Sequence, residues 1–154
     1  MAELSQNLKA LLQDIGESAV ALNLAIHMNG LKGWSVFRNY TEAGCDVIVR
    51  RPTQGDLQIE VKTRQTLLTS RRQKNVCHFT LTEAERNACD FLVAYWFNRH
   101  SYFIVPKAEL RRTSSNGRPL YKFIAYWSER NQEYTGPSVQ HLEKWDRIVT
   151  RQKS

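Results

Sequence analysis

The sequence predicts an α/β domain in which a mixed β-sheet is flanked by helices, with residues 1–154 forming one domain. Three observations predict it. An amphipathic helical pattern opens the chain, three short strand-like segments follow with tight links, and a continuous apolar run, "DFLVAYWF", stands at 90–97. The 154 residues suit one domain and hardly two.

Residues 4–28 read as the first helix. Leu4, Leu8, Leu11, Ile15, Leu22 and Ile26 recur at helical steps and make one apolar stripe. Val20 and Leu24 lie on the opposite side, so that end of the helix is expected to be buried on two faces. Asn29-Gly30 is a helix stop. "WSVFRNY" (34–40), "CDVIVRR" (45–51) and "LQIEVKTRQT" (57–66) read as three strands of an antiparallel meander, with "TEAG" and "PTQGD" as the connections. From Leu67 to Asn75 the pattern becomes polar and basic, which predicts a loop. "CHFTL" (77–81) is a short strand. "TEAERNAC" is a helix with Thr82 as N-cap and Glu85 completing a capping box. "DFLVAYWF" is a central strand buried on both faces, and "SYFIV" (101–105) pairs with it across "NRH". "AELRRTSSNGRP" reads as a loop or broken helix, "LYKFIAYW" (120–127) as a strand and "SERNQEYTGP" as a loop. "SVQHLEKWDRIVT" (138–150) reads as a last helix capped by Ser138.

Composition narrows the function classes. Apolar residues make up 42% and charged residues 24%, as in ordinary globular domains. No apolar run reaches the ~20 residues of a membrane span, and the acid- and amide-bearing N-terminus does not resemble a secretory signal. The expected location is the cytoplasm, with association with the nucleoid. Cys45, Cys77 and Cys89 are odd in number and never spaced as CxxC, which argues against a disulfide framework or a structural zinc site. His27, His78, His100 and His141 are scattered and form no ligand pair. The net charge of +7 points to a polyanionic partner, most commonly nucleic acid.

The second and third strands carry the chemistry. Val47, Val49, Leu57, Ile59 and Val61 are apolar at odd positions, while Asp46, Arg50, Gln58, Glu60, Lys62 and Arg64 are polar at even ones. Side chains alternate between strand faces. A hairpin centred on Gln54 puts Asp46 opposite Lys62; a shifted register puts Asp46 opposite Glu60. Either gathers Asp46, Glu60 and Lys62 on one face. Two carboxylates suit Mg2+, and a neighbouring lysine can stabilise developing negative charge. On alternation alone, a hairpin face turned to water is the simpler reading, and both stay open.

"GCDVIVRRPTQGDLQIEVKTRQ", preceded by "IGESAVALNLAIHMNGLKGWSVFRNY", resembles the core of the PD-(D/E)XK nuclease superfamily, in particular its Holliday-junction-resolvase-like branch. That resemblance spans residues 15–65; the C-terminal portion, with "YFIVP" and the late helix carrying Trp145, is similar to the small homing endonucleases of the superfamily. The resemblance implies a restriction-endonuclease-like fold and Mg2+-dependent hydrolysis of DNA phosphodiester bonds, with Mn2+ as a substitute. It implies Asp46 and Glu60 as metal-binding carboxylates, the Val61 carbonyl as a further ligand and Lys62 as the catalytic lysine. Glu17 corresponds to a first-helix glutamate that approaches the metal. It points away from the main apolar stripe, so an exposed helix acid is an equal reading. Cys45 stands where the name-giving proline usually lies. A homodimer or homotetramer is expected, since one small site cuts one strand. The rival reading is a non-catalytic DNA-binding or protein-inhibiting module that keeps the nuclease fold.

Two basic segments suit DNA phosphates. Residues 50–74 carry Arg50, Arg51, Lys62, Arg64, Arg71, Arg72 and Lys74 against Asp56 and Glu60. Residues 107–122 carry Lys107, Arg111, Arg112, Arg118 and Lys122 against Glu109. Contacts from these arginines and lysines would position a duplex without reading its sequence. The aromatics of 91–103 read as core.

Overall fold

The computed structural model describes residues 5–41, 44–65 and 75–151. The Leu8 amide donates to Ser5 Oγ at 3.3 Å, which caps the first helix, α1 (Gln6–Met28), and satisfies a donor that the first turn leaves orphaned. Asn29 ends the helix, and Gly30 follows at φ 81°, a left-handed conformation that glycine adopts without strain.

α1 meets the sheet with Gly16, Val20, Leu24 and Met28. The stripe of Leu8, Leu11, Ile15, Leu22 and Ile26 is exposed instead, which corrects the expectation that it marks a buried face; Leu4 lies outside the described residues. The reason is Gly16. A Cβ at that position would sit 1.6 Å from Thr63 Oγ1, so only a glycine lets the two backbones come so close. The side that carries it becomes the packing side.

Strands β1 (Ser35–Arg38), β2 (Val47–Arg50) and β3 (Leu57–Arg64) form the expected antiparallel meander. The chain then passes through β4 (Val76–Thr82) and α2 (Glu83–Asn87) before β5 (Phe91–Trp96) returns parallel to β3. β6 (Ser101–Pro106) pairs antiparallel with β5. The sheet order is β1-β2-β3-β5-β6, a mixed sheet. β5 is buried nearly throughout, as its unbroken apolar run requires.

Past Pro106 the structure departs from the sequence reading. The segment read as loop or broken helix is mostly a strand, β7 (Arg111–Ser115), joined to β8 (Arg118–Ser128) by Asn116 and Gly117, both at positive φ. Asn-Gly suits this tight turn, because both residues tolerate φ > 0. β4, β8 and β7 form a second antiparallel sheet, and β9 (Glu133–Thr135), inside the segment read as a loop, pairs with β8. The last helix is absent. Pro137–His141 and Trp145–Arg147 are short 3-10 turns. Leu142 between them bridges to Phe103, and the Glu143 amide donates to the Tyr102 carbonyl at 2.8 Å, so β6 draws this segment out of helical geometry.

Two cores result, one on each face of the mixed sheet. Val47, Val49, Ile59, Val61, Val93 and Ile104 pack with α1 and with Trp145, Ile148 and Val149. Leu92, Ala94, Trp96, Phe103 and Val105 pack with the second sheet. No helix among the described residues is long and apolar enough to cross a membrane.

Candidate active site

β2 and β3 pair with Val47 opposite Ile59 and Val49 opposite Leu57. Extending this register by one residue sets Asp46 opposite Glu60, so the shifted register is the one adopted. Glu60 and Lys62 lie in register with Leu92 and Ala94 of β5, on the sheet face that looks toward the second sheet. Glu60 is therefore buried, with only 4% of its surface exposed. A hairpin face turned to water would not do this, and the simpler reading of the alternation fails here.

A network holds Asp46 in place. The Val61 amide donates to Asp46 Oδ2 at 2.8 Å. The Asn39 amide donates to the Asp46 carbonyl at 2.8 Å, while Asn39 Nδ2 donates to the Cys45 carbonyl at 2.8 Å. Cys45, in the usual proline position, is buried, and its thiol donates to the Val47 carbonyl. Burial pushes the Asp46 carboxyl up to about 6, with Glu17 adding to the rise and the Val61 amide and Lys62 opposing it. Burial pushes Glu60 further, to about 9, and the Asp46 and Glu85 carboxylates add to it against the pull of Lys62.

Glu17 reaches this site because Val20 and Leu24, on its side of α1, face the sheet. Arg38 Nη2 donates to Glu17 Oε2 at 2.6 Å and to Asp14 Oδ1 at 2.8 Å. Gln13, one turn earlier on the same side of α1, was not singled out by the sequence. Its Nε2 donates to the Val61 carbonyl at 2.6 Å and to Glu17 Oε1 at 3.2 Å, and its Oε1 accepts from the Thr63 amide at 3.3 Å. Its place at i, i+4 from Glu17 was the available signal.

Glu85 is the other unforeseen member. The sequence assigns it to a capping box, and that role holds: Oε1 accepts from the Thr82 amide at 2.9 Å. Its second oxygen reaches the site, where Lys62 Nζ donates to Oε2 at 2.5 Å. The same ammonium lies 3.6 Å from Glu60 Oε1. Half-burial works to raise the Glu85 carboxyl, but Lys62 and the Thr82 amide outweigh it and hold it at about 2. Lys62 thus sits between an acid pushed up and an acid pulled down.

The expected phosphate contacts are scattered. Arg64 follows Glu60 and Lys62 on the same row of β3 and is exposed. Arg50 pairs with Asp56 and Arg51 donates to Gly55 and Gln54, at the opposite end of the hairpin from Asp46, about 13 Å along β2. Arg111 lies opposite Lys122, and alternation places both with Arg118 on the outer face of the second sheet, while Arg112 lies opposite the buried Tyr121. Arg71, Arg72 and Lys74 lie outside the described residues.

Among the described residues, no three His, Cys, Asp or Glu side chains group closely enough to hold a metal by themselves. The buried Glu60 and the half-buried Asp46 face each other, and both carboxyls are raised by desolvation and by like charge, which makes a donor pair short of positive charge. With the Val61 carbonyl, which accepts from Gln13 Nε2 and has a second lone pair, they are oxygen donors of the kind a hard cation takes.

The fold has solved counterparts. The bacterial homing endonuclease I-Ssp6803I is similar over 90% of this chain and 91% of its own, with a TM-score of 0.59 and 18% identity. Hjc, a Holliday junction resolvase from the archaeal hyperthermophile Archaeoglobus fulgidus, is similar over 72% of this chain and 82% of its own, with a TM-score of 0.51 and 16% identity. The chain shares its fold with these two nucleases. At these identities the likeness concerns the fold. No protein-family model and no curated protein matches the sequence.

Proposed function

We propose that this chain is a Mg2+-dependent DNA endonuclease, resolvase-like or of the site-specific homing type, that hydrolyses phosphodiester bonds. The observation that carries the reading is the buried Glu60 and the half-buried Asp46, facing each other across the hairpin with Lys62 on the next same-side position of β3. Asp46, Glu60 and the Val61 carbonyl would hold the cation. Bound there, Mg2+ would neutralise phosphodiester charge and lower the pKa of a water.

The chain's own groups prepare that chemistry. Glu60, whose carboxyl is raised by burial and by Asp46, would give up its proton on holding a cation. Glu85 holds the Lys62 ammonium beside Glu60, in position to stabilise negative charge developing on the phosphate. Arg38 and Gln13 orient Glu17 toward Asp46, and Gln13 ties α1 to the β3 backbone between Glu60 and Lys62. Arg64, on the same row, is placed to meet a flanking phosphate.

The test is incubation of purified protein with labelled linear, branched and supercoiled DNA, with and without Mg2+, beside Glu60→Ala. Metal-dependent cleavage lost in the variant supports the reading. Binding without cleavage on every substrate assigns the chain to the non-catalytic alternative.

A further inference from the structure

The outer side of α1 is an apolar row that no other element among the described residues covers. Leu8, Leu11, Ile15, Leu22 and Ile26 are each between 50% and 61% exposed. The row runs most of a 23-residue helix, about 34 Å long. Ala25 falls on the same side, as does Ser18 at its edge, where the hydroxyl accepts from Arg38 Nη1 at 2.9 Å, so the spacing from Leu8 onward is that of a heptad seam whose gaps hold small residues. The charged residues of the helix, Lys9, Asp14 and Glu17, lie off this row, and Asp14 and Glu17 are bound to Arg38. A helix side turned permanently to water normally carries charge.

We propose that this face is the interface of a homodimer, in which α1 packs against α1 of a second copy about a two-fold axis. Area supports this occupant: the five side chains expose about 500 Å2 per copy, at the upper end of what a monomer carries. Pairing two such faces would bury about 1,000 Å2, the size at which specific association begins. A seam of this kind is its own complement, as an isologous interface requires. Charge supports it too. A chain of net charge +7 repels a copy of itself over most of its surface, and an uncharged face is where that repulsion is least. The same lack of charge rules the face out as a phosphate contact. Gln13 and Glu17 lie on the opposite side of α1, so pairing leaves each candidate site uncovered by its partner helix.

Sedimentation equilibrium of the full chain, without DNA or metal, reads this directly. At micromolar concentration the mass should be twice the 17.9 kDa of one chain, or a further multiple of two. High salt should hold or strengthen the association, because it screens like-charge repulsion and favours apolar burial. Leu22→Glu with Ile26→Glu should halve the mass; if that pair fails to fold by circular dichroism, Leu22→Ser with Ile26→Ser should do so. A single-chain mass for the wild type at high micromolar concentration overturns the proposal. So does a folded variant of undiminished mass, or a wild-type dimer that dissociates in high salt. Since no cleavage is measured, the result is independent of whether the chain proves to be a nuclease.

Discussion

Gly16→Ala decides whether the close approach of α1 to β3 is essential, because two effects of opposite sign meet there. Alanine is about 1 kcal/mol better than glycine inside a helix, so propensity alone predicts stabilisation. The added Cβ would stand 1.6 Å from Thr63 Oγ1, 2.8 Å from Thr63 Cβ and 3.1 Å from Thr63 Cγ2. Rotating Thr63 moves the hydroxyl away, but its Cβ does not move with the rotamer, and 2.8 Å is well inside the 3.5–4.0 Å of ordinary carbon contact. The helix must therefore retreat. Overpacking of this kind costs about 1–3 kcal/mol, and retreat also strains the Gln13 bonds to the Val61 carbonyl and the Thr63 amide, each worth about 1 kcal/mol. The expected net loss is about 1–3 kcal/mol, or a fall in Tm of ~2–4 °C per kcal/mol for a chain of this size. Thr63→Ala removes the two nearest movable atoms and deletes a hydroxyl that has no hydrogen-bond partner in the structure. The double variant should recover part of the loss, with a coupling of about 1 kcal/mol or more in urea unfolding. A Gly16→Ala protein as stable as wild type or more so, or a strictly additive double variant, would refute the argument.

The other expectations concern the site. Asp46 and Glu60 carry carboxyls raised by folding, so their contribution to stability is complete below the unfolded value near 4 and is lost as pH rises through about 6 and about 9. Metal-free wild type should thus lose Tm relative to Glu60→Gln between pH 5 and pH 9, in roughly the window these values set, and Mg2+ should restore Tm most at the alkaline end; parallel curves for the two proteins would contradict the burial of Glu60. Glu85 is lowered instead, so its share of stability is present above the unfolded value and lost only as pH falls toward about 2. Lys62→Ala should reduce turnover far more than DNA affinity, and Glu85→Gln should do the same to a lesser degree by freeing the ammonium; equal losses in affinity and turnover would make Lys62 a phosphate anchor. In titrations over a range of salt, Arg64→Ala should flatten the log–log slope by about 0.9, the value of one phosphate contact, while Arg111→Ala with Arg118→Ala should leave it unchanged, because these two lie on the outer face of the second sheet. The opposite pattern would move the DNA path to that sheet.

The sequence by itself determined the elements whose signal is local. Alternation set β2 and β3, an unbroken apolar run set β5, and the Thr82 and Glu85 pair set the start of α2. Parity also gathered Asp46, Glu60 and Lys62, since a strand of period two leaves few ways to arrange them. The Asn116-Gly117 turn is also a local signal, masked by the polar residues on either side of it. Tertiary structure decided the rest. It chose between two hairpin registers that satisfy the same alternation, and between two apolar sides of α1, where Gly16 against Thr63 outweighed the longer stripe. It gave Glu85 a second partner 23 residues away and turned the predicted last helix into two short turns by pairing Leu142 with Phe103. Periodicity reports which residues share a face. What lies against that face is settled by contacts between residues far apart in the chain, and no local pattern encodes them.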